Sequence, residues 1–249
     1  MMNNPSSLYP NNNNIKRKIE LKVFPSLEKL SSYAADIFSE LLNSEGENCF
    51  IVPGGKTPLL FYKYLADKVI DWTGVTLIPS DERLVEEASS KSNMGMIRKN
   101  LIKRIEKKNK PILVSLLNRD NQSNSDQVIS SLKAKLRQFM PPKAAFLGIG
   151  EDGHTASIFS GCEEKVFNSE ILFYTKRDLD PFRRISLSAS FLASTPRLIF
   201  FVNGKRKRPV IKEIFNNKKS INHLPVMRVI KQAEGRVTVI CDKMAAPND

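Results

Sequence analysis

The chain has 249 residues, 39 Lys and Arg against 26 Asp and Glu for a net charge of +13, and 41% apolar residues. That length and composition exclude a disordered or fibrous chain and fit one globular domain with a sizeable core. Three widely spaced cysteines, Cys49, Cys162 and Cys241, exclude a disulfide scaffold, and two distant histidines, His154 and His223, argue against a histidine-built metal site.

The N-terminal MMNNPSSLYPNNNN is Asn-rich and reads as a disordered tail over residues 1–15, without the basic and apolar halves of a secretory signal. One folded domain is expected over 16–249. Ile19–Phe24 is β-branched enough for a strand. Ser26 then caps a helix whose Leu27, Leu30, Ala34, Ile37, Phe38 and Leu41 recur with a helical period. Asn48–Val52 is an apolar run too short for a helix. It ends in Pro53-Gly54-Gly55-Lys56-Thr57, and Thr57 before Pro58 reads as N-cap and N1 of a helix reaching about Val69. Val75–Pro79 is the next strand, closed by the loop Ser80-Asp81-Glu82-Arg83. A helix is expected from Ser92 to Lys108, a short strand at Ile112–Ser115, a surface loop at 118–126 and a helix over Asp126–Met140. Ala144–Ile149 is a strand leading into Gly150-Glu151-Asp152-Gly153-His154-Thr155. Ile171–Thr175, Arg184–Ser188, Leu198–Val202 and Arg236–Cys241 are further strands, with a helix at Lys205–Phe215.

Strands alternating with helices predict an α/β fold, a single domain with a mostly parallel, Rossmann-like sheet flanked by helices. Ligands of such sheets bind beyond the carboxyl ends of the strands, so the loops PGGKTP, SDER and GEDGHT should meet in one cleft. Gly54 and Gly55 let the backbone approach a ligand. The helix start after them offers free N–H groups to an anion, most naturally a phosphate. The spacing fails the triphosphate-binding pattern, whose first glycine would fall on Phe50. Gly148–Gly153 matches G-x-G-x-x-G, but Glu151 and Asp152 would repel a pyrophosphate, so a dinucleotide is rejected. His154 is the candidate general base, with Asp152 or Glu151 to hold its ring. Asp81 is suited to orient a base or to bind a sugar hydroxyl, and Arg83 to bind an anion.

The positive charge is local. Residues 98–110 and 203–219 each carry seven basic residues and one acid, leaving the remainder near neutral. Neither segment interleaves aromatics for base stacking, so no specific nucleic-acid partner is expected. No apolar run reaches the length of a membrane helix, which with the free cysteines suggests a cytoplasmic protein.

Taken together, PGGKTP (53–58), SDERLV (80–85) with SN (92–93), LGIGEDGHTASIF (147–159), RISLS (184–188), FVNGKRK (201–207) and VTVICDKMAA (237–246) resemble, in family order, the glucosamine-6-phosphate isomerase/6-phosphogluconolactonase family. The resemblance is to the lactonase branch, within a glucosamine-6-phosphate deaminase/ribose-5-phosphate isomerase-like fold. It implies hydrolysis of 6-phospho-D-glucono-1,5-lactone to 6-phosphogluconate in the oxidative pentose phosphate pathway, with no cofactor and no metal. By motif, His154 is the base and Asp152 and Asp81 are further catalytic candidates. Gly54, Gly55, Lys56, Thr57, Arg184 and Lys207 are phosphate ligands, and Arg83 is a further ligand of the substrate anion. The related deaminase-isomerases look to carry an additional acid shortly after the motif histidine. Here no carboxylate follows His154 until Glu163, which disfavours that chemistry.

Overall fold

The computed structural model describes residues 19–106, 108–117, 126–162, 171–176, 180–216 and 224–247. The Asn-rich tail, residues 118–125 of the surface loop, Glu163 and His223 lie outside the described residues.

In chain order the elements are β1 (Ile19–Phe24), α1 (Leu27–Leu42), β2 (Cys49–Val52), α2 (Leu59–Asp67), β3 (Thr76–Pro79), β4 (Asp81–Arg83), α3 (Asn93–Asn100), β5 (Ile112–Leu113), α4 (Asp126–Arg137), β6 (Ala144–Gly148), β7 (Leu172–Lys176), β8 (Arg183–Leu187), α5 (Ala189–Ala193), β9 (Arg197–Val202), α6 (Arg208–Asn216), α7 (Pro225–Gln232) and β10 (Arg236–Asp242). Seven strands form one sheet in the order β1-β10-β9-β6-β2-β3-β5. Every pairing in it is parallel. This is the single α/β domain expected.

The strands are short and almost wholly apolar because both faces of the sheet are covered. Alternate residues enter opposite layers. Phe50, Leu77, Phe146, Phe201 and Ile240 pack under α1, α2 and α3 with Phe38, Phe61 and Trp72. Ile51, Ile78, Leu147, Phe200 and Val239 face the other layer, with α5, α6 and α7. The first layer is aromatic, with ring centroids 4.2 Å apart for Phe38–Phe50 and 5.1 Å for Phe61–Phe201.

Several expectations are corrected. Two of the strands expected in the main sheet, β7 and β8, are not in it. They form a separate antiparallel sheet with β4, in the order β4-β8-β7. SDER is therefore not a loop. The chain leaves β3 at Ser80 and immediately becomes an edge strand, with Asp81 opposite Ser186 and Arg83 opposite Arg184. The strand Arg236–Cys241, expected as the last in the chain to close the sheet, lies inside it, between β1 and β9. The helix expected over 92–108 ends at Asn100 and continues as a 3-10 turn at Ile102–Arg104. Leu101, Ile102 and Ile105 are all buried, and a tighter turn brings them to the core together. Asn100 also donates its side-chain amide to the Met96 carbonyl, capping the last turn. The helix after PGGKTP starts at Leu59, with Pro58 and not Thr57 in the N-cap position and no side-chain cap. Residues Lys205–Lys207 form a 3-10 turn ahead of α6, entered through Gly204 at φ 92°. Helix α4 stops at Arg137, short of Met140.

Candidate active site

The carboxyl ends of β9, β6, β2 and β3 open onto a cleft of about 220 Å³, a scale suited to one small metabolite. Its lining includes Gly54, Gly55, Lys56, Thr57, Asp81, Arg83, His154, Arg184 and Lys207. Nine of the ten expected site residues are thus brought together from four strand ends and from the second sheet. The tenth, Asp152, stands behind His154.

The GEDGHT segment turns sharply. Gly150 accepts from Gly153 N–H at 3.1 Å and donates to the His154 carbonyl at 2.7 Å. Residues 154–162 form turns and an isolated bridge between Thr155 and Ile158, not the helix a dinucleotide fingerprint would open. The turn folds the imidazole back over Gly150, where a β-carbon would lie 2.0 Å from His154 Nδ1. His154 Nδ1 is 2.5 Å from Asp152 Oδ1. Glu151 points elsewhere, to Arg206 Nε at 3.3 Å. Asp152 therefore holds the ring. A ring held in this way can donate Nδ1–H to the carboxylate and accept a proton at Nε2. Phe159 flanks the pair, its ring 5.1 Å from that of His154 and 5.5 Å from the Arg184 guanidinium.

Two basic groups are built into the structure, not displayed on it. Arg184 is 8% exposed. It pairs with Asp180 and stands 3.7 Å from Asp81. Its Nε is buried without a hydrogen-bond partner among the described residues, an orphan donor in a cleft-lining side chain. Lys207 donates to the Ile149 carbonyl at 2.5 Å. Burial pushes its ammonium below the usual lysine range, against the opposing pull of Glu151 and Asp152. Lys56, by contrast, is exposed at the tip of its loop. The Gly54-Gly55 backbone passes close to α3, and a β-carbon on Gly54 would meet the Asn93 amide at 2.2 Å. Tyr62 Oη anchors this loop through the Pro53 carbonyl at 2.6 Å.

Asp81 is saturated. It accepts from Ser80 Oγ at 2.9 Å and Ser157 Oγ at 2.5 Å, with Asn93 Nδ2 at 3.4 Å. Ser157 reaches it from the turn after His154, entered through Ala156 at a left-handed φ of 50°. This contact ties the His154 segment to the start of the second sheet.

Sequence reasoning missed the groups that hold the site together. Glu82 has no role assigned to it from the SDER motif. It is in fact completely buried, and accepts from Arg83 N, Asn93 N, Met94 N and Ser92 Oγ at 2.7–3.0 Å. Burial pushes its carboxyl above the usual value of 4.5, against the lowering effect of those hydrogen bonds. Asn93 lines the cleft and joins Asp81 to Arg83. Asp242, at the end of β10, accepts from Asn203 Nδ2, Gly204 N and Ala245 N at 2.7–3.0 Å, and so clamps the turn that presents Lys207. Each of these partners lies 10 or more residues away in the chain except for neighbours already in the same motif, so no local pattern announces them.

Comparison with known proteins returns one family. Residues 26–239 match the family model described as glucosamine-6-phosphate isomerases/6-phosphogluconolactonase. A 6-phosphogluconolactonase of Neisseria meningitidis is 27% identical over 190 residues, covering 74% of this chain and 80% of that protein. A probable 6-phosphogluconolactonase of Dictyostelium discoideum is 28% identical over 214 residues, covering 82% and 89%. The crystal structure of a 6-phosphogluconolactonase from Shewanella baltica superposes with a TM-score of 0.81 at 25% identity, over 91% of this chain and 98% of that one. A monomeric glucosamine-6-phosphate deaminase superposes with a TM-score of 0.76 at 17% identity, a likeness of fold.

Proposed function

The chain belongs to the glucosamine-6-phosphate isomerase/6-phosphogluconolactonase family, and from that premise we propose that it is a cytoplasmic enzyme hydrolysing 6-phospho-D-glucono-1,5-lactone to 6-phosphogluconate. The observation that carries this reading is the His154–Asp152 pair standing in a cleft with an anion cradle, the buried Arg184 and the half-buried Lys207.

In this reading the phosphate sits beyond the end of β6. The Gly54–Thr57 loop flanks it from β2 and Lys207 from β9, and Arg184 reaches over from the second sheet. These contacts position the ring and lower the entropic cost of reaching the transition state. His154 Nε2 takes a proton from water as its oxygen bonds to the lactone carbon. The carbonyl electrons move onto oxygen, giving a tetrahedral oxyanion. Collapse of that intermediate breaks the bond to the ring oxygen, which takes the proton back from the imidazolium. Asp152 keeps the ring in the productive tautomer and stabilises its charged form. Asp81, engaged by two serines and flanked by Arg184, acts as an organiser of the cleft, with no proton to move.

The amino-sugar-phosphate deaminase reading has less support. Its proton shuttle calls for a carboxylate soon after the histidine, and Thr155–Cys162 contains none.

The test is to add the purified protein to freshly generated 6-phosphogluconolactone and to follow acid release against the spontaneous rate. Acceleration is expected, and its absence overturns the proposal. His154→Ala should reduce kcat about 10²–10⁴-fold with the fold intact. An unchanged rate would remove His154 from the mechanism.

A further inference from the structure

His154 and Arg184 reach the cleft from different sheets. His154 follows β6 of the seven-stranded sheet, and Arg184 lies in β8 of the three-stranded one. The ladder of neither sheet sets the distance between them. The five residues after His154 supply that link. A hydrogen bond from Ile158 N–H to the Thr155 carbonyl at 2.9 Å closes them into a tight turn. Ala156 enters the turn at φ 50°, a conformation that a residue with a β-carbon keeps only where its surroundings enforce it. Beyond Ala156 the turn is fastened to the second sheet twice. Ser157 N–H donates to Ser186 Oγ at 3.1 Å, on the strand that carries Arg184. Ser157 Oγ donates to Asp81 Oδ2 at 2.5 Å, and the same oxygen stands 3.7 Å from Arg184 Nη1. Phe159 completes the turn and is only 6% exposed. Its ring centroid lies 5.1 Å from that of His154, the spacing of an aromatic pair. The guanidinium carbon of Arg184 lies 5.5 Å from the same centroid, within cation–π range. One buried ring thus supports both the base and the cation.

We propose that Phe159 is a positioning residue for His154 and Arg184 together, with Ser157 fastening its turn to the second sheet. This rests on the lactonase reading and deepens it. A sugar ring holds its phosphate and its lactone carbon at a near-fixed separation. The protein groups that meet them need a matching one, because a misplacement of ~1 Å costs on the order of 100-fold in rate. A shared ring sets that match in a way that two independent supports would not. When the phosphate engages Arg184, the lactone carbon then comes to rest against the water that His154 activates.

The experiment compares wild type, Phe159→Leu, Arg184→Met and the double variant on 6-phosphogluconolactone, with inorganic phosphate as a competitive probe and the thermal transition as a check of folding. Leucine keeps the apolar bulk and removes the ring. Phe159→Leu is expected to lower kcat about tenfold through His154. It should also raise KM and the phosphate inhibition constant about fivefold through Arg184. In the Arg184→Met background the kcat loss should persist, while KM and the phosphate constant rise no further than about twofold. A general loosening of the turn would move all three constants alike in both backgrounds, and that result overturns the proposal. So does a Phe159→Leu protein that shows only one of the two signatures, or neither. If Phe159→Leu does not fold, Ser157→Ala carries the same comparison. It should raise KM in the wild-type background and add nothing to Arg184→Met, and an equal rise in both overturns the link. No hydrolysis by the wild type would instead refute the lactonase reading itself.

Discussion

The hydrogen atoms of Gly150 are what allow His154 to lie where it does. Any side chain there would meet Nδ1 of the imidazole at 2.0 Å and Asp152 Oδ1 at 2.5 Å. The expected outcome for Gly150→Ala is therefore loss of hydrolysis comparable to His154→Ala, with a near-native thermal transition, because the displaced groups lie at the cleft and not in the core. Steady-state kinetics beside a melting curve checks this. A fully active Gly150→Ala would mean that the ring is placed differently during turnover. The Asp152 contact gives a second outcome at this scale. Asp152→Asn replaces an acceptor that selects the Nδ1–H tautomer by a group that can favour the other one, so kcat should fall by orders of magnitude while KM changes little. Much of this scale was legible from the chain alone. The glycines, His154 and the basic residues stand in recognisable motifs. The choice of Asp152 over Glu151 was not legible, since two adjacent carboxylates differ only in the direction their backbone gives them.

At the scale of elements, the junction between β4 and α3 is the least readable part of the site. Helix α3 begins with Ser92, whose Oγ accepts from Gly95 N at 3.0 Å and donates to Glu82. Removing it with Ser92→Ala takes away a cap and one donor to a buried carboxylate, and should cost about 1–2 kcal/mol. Denaturant melts measure this directly. Glu82 also predicts a pH dependence. Its carboxyl is raised in the folded state above the usual 4.5. Its titration therefore favours the folded state fully below pH 4.5, and that contribution fades as pH rises through the folded value. The stability of the wild type relative to Glu82→Gln should accordingly be most favourable at acid pH and decline as pH rises from 4.5. A difference that grows with pH would show that the hydrogen bonds outweigh burial. Local sequence could not report any of this. SDER looks like a polar loop because strand β4 has only three residues, and its pairing partner, β8, lies a hundred residues downstream.

For the whole molecule, the net charge of +13 matters less than where it is buried. Lys207 carries its charge with burial opposing it, so its ammonium lies below 10.5 in the folded state. The contribution of this group to stability is present above that value and is lost as pH falls through the folded one. The cleft thus holds a cation whose charge burial opposes. An anion that binds there should stabilise the protein. Saturating 6-phosphogluconate should raise the thermal midpoint, with about 2.7 kcal/mol of stabilisation at a hundredfold excess over Kd. Lys207→Met should blunt the shift, and an equal shift in both proteins would place the anion elsewhere. The exposed surplus of charge acts only at long range. It predicts an apparent KM that rises as ionic strength increases.

What the sequence by itself determined was the alternation of apolar strands and amphipathic helices, and with it a parallel sheet whose strand ends carry the polar motifs. Hydrophobic periodicity and glycine placement are local properties, and motif spacing survives without any knowledge of contacts. Only the tertiary structure decided that β4, β8 and β7 form a sheet of their own, that Glu82 is buried, that Asp242 clamps the Lys207 turn, and that Arg184 lines the same cleft as Lys207. Those facts depend on pairing and burial between segments far apart in the chain. The energy of a carboxylate is set by what surrounds it in space, and its neighbours in sequence do not report that.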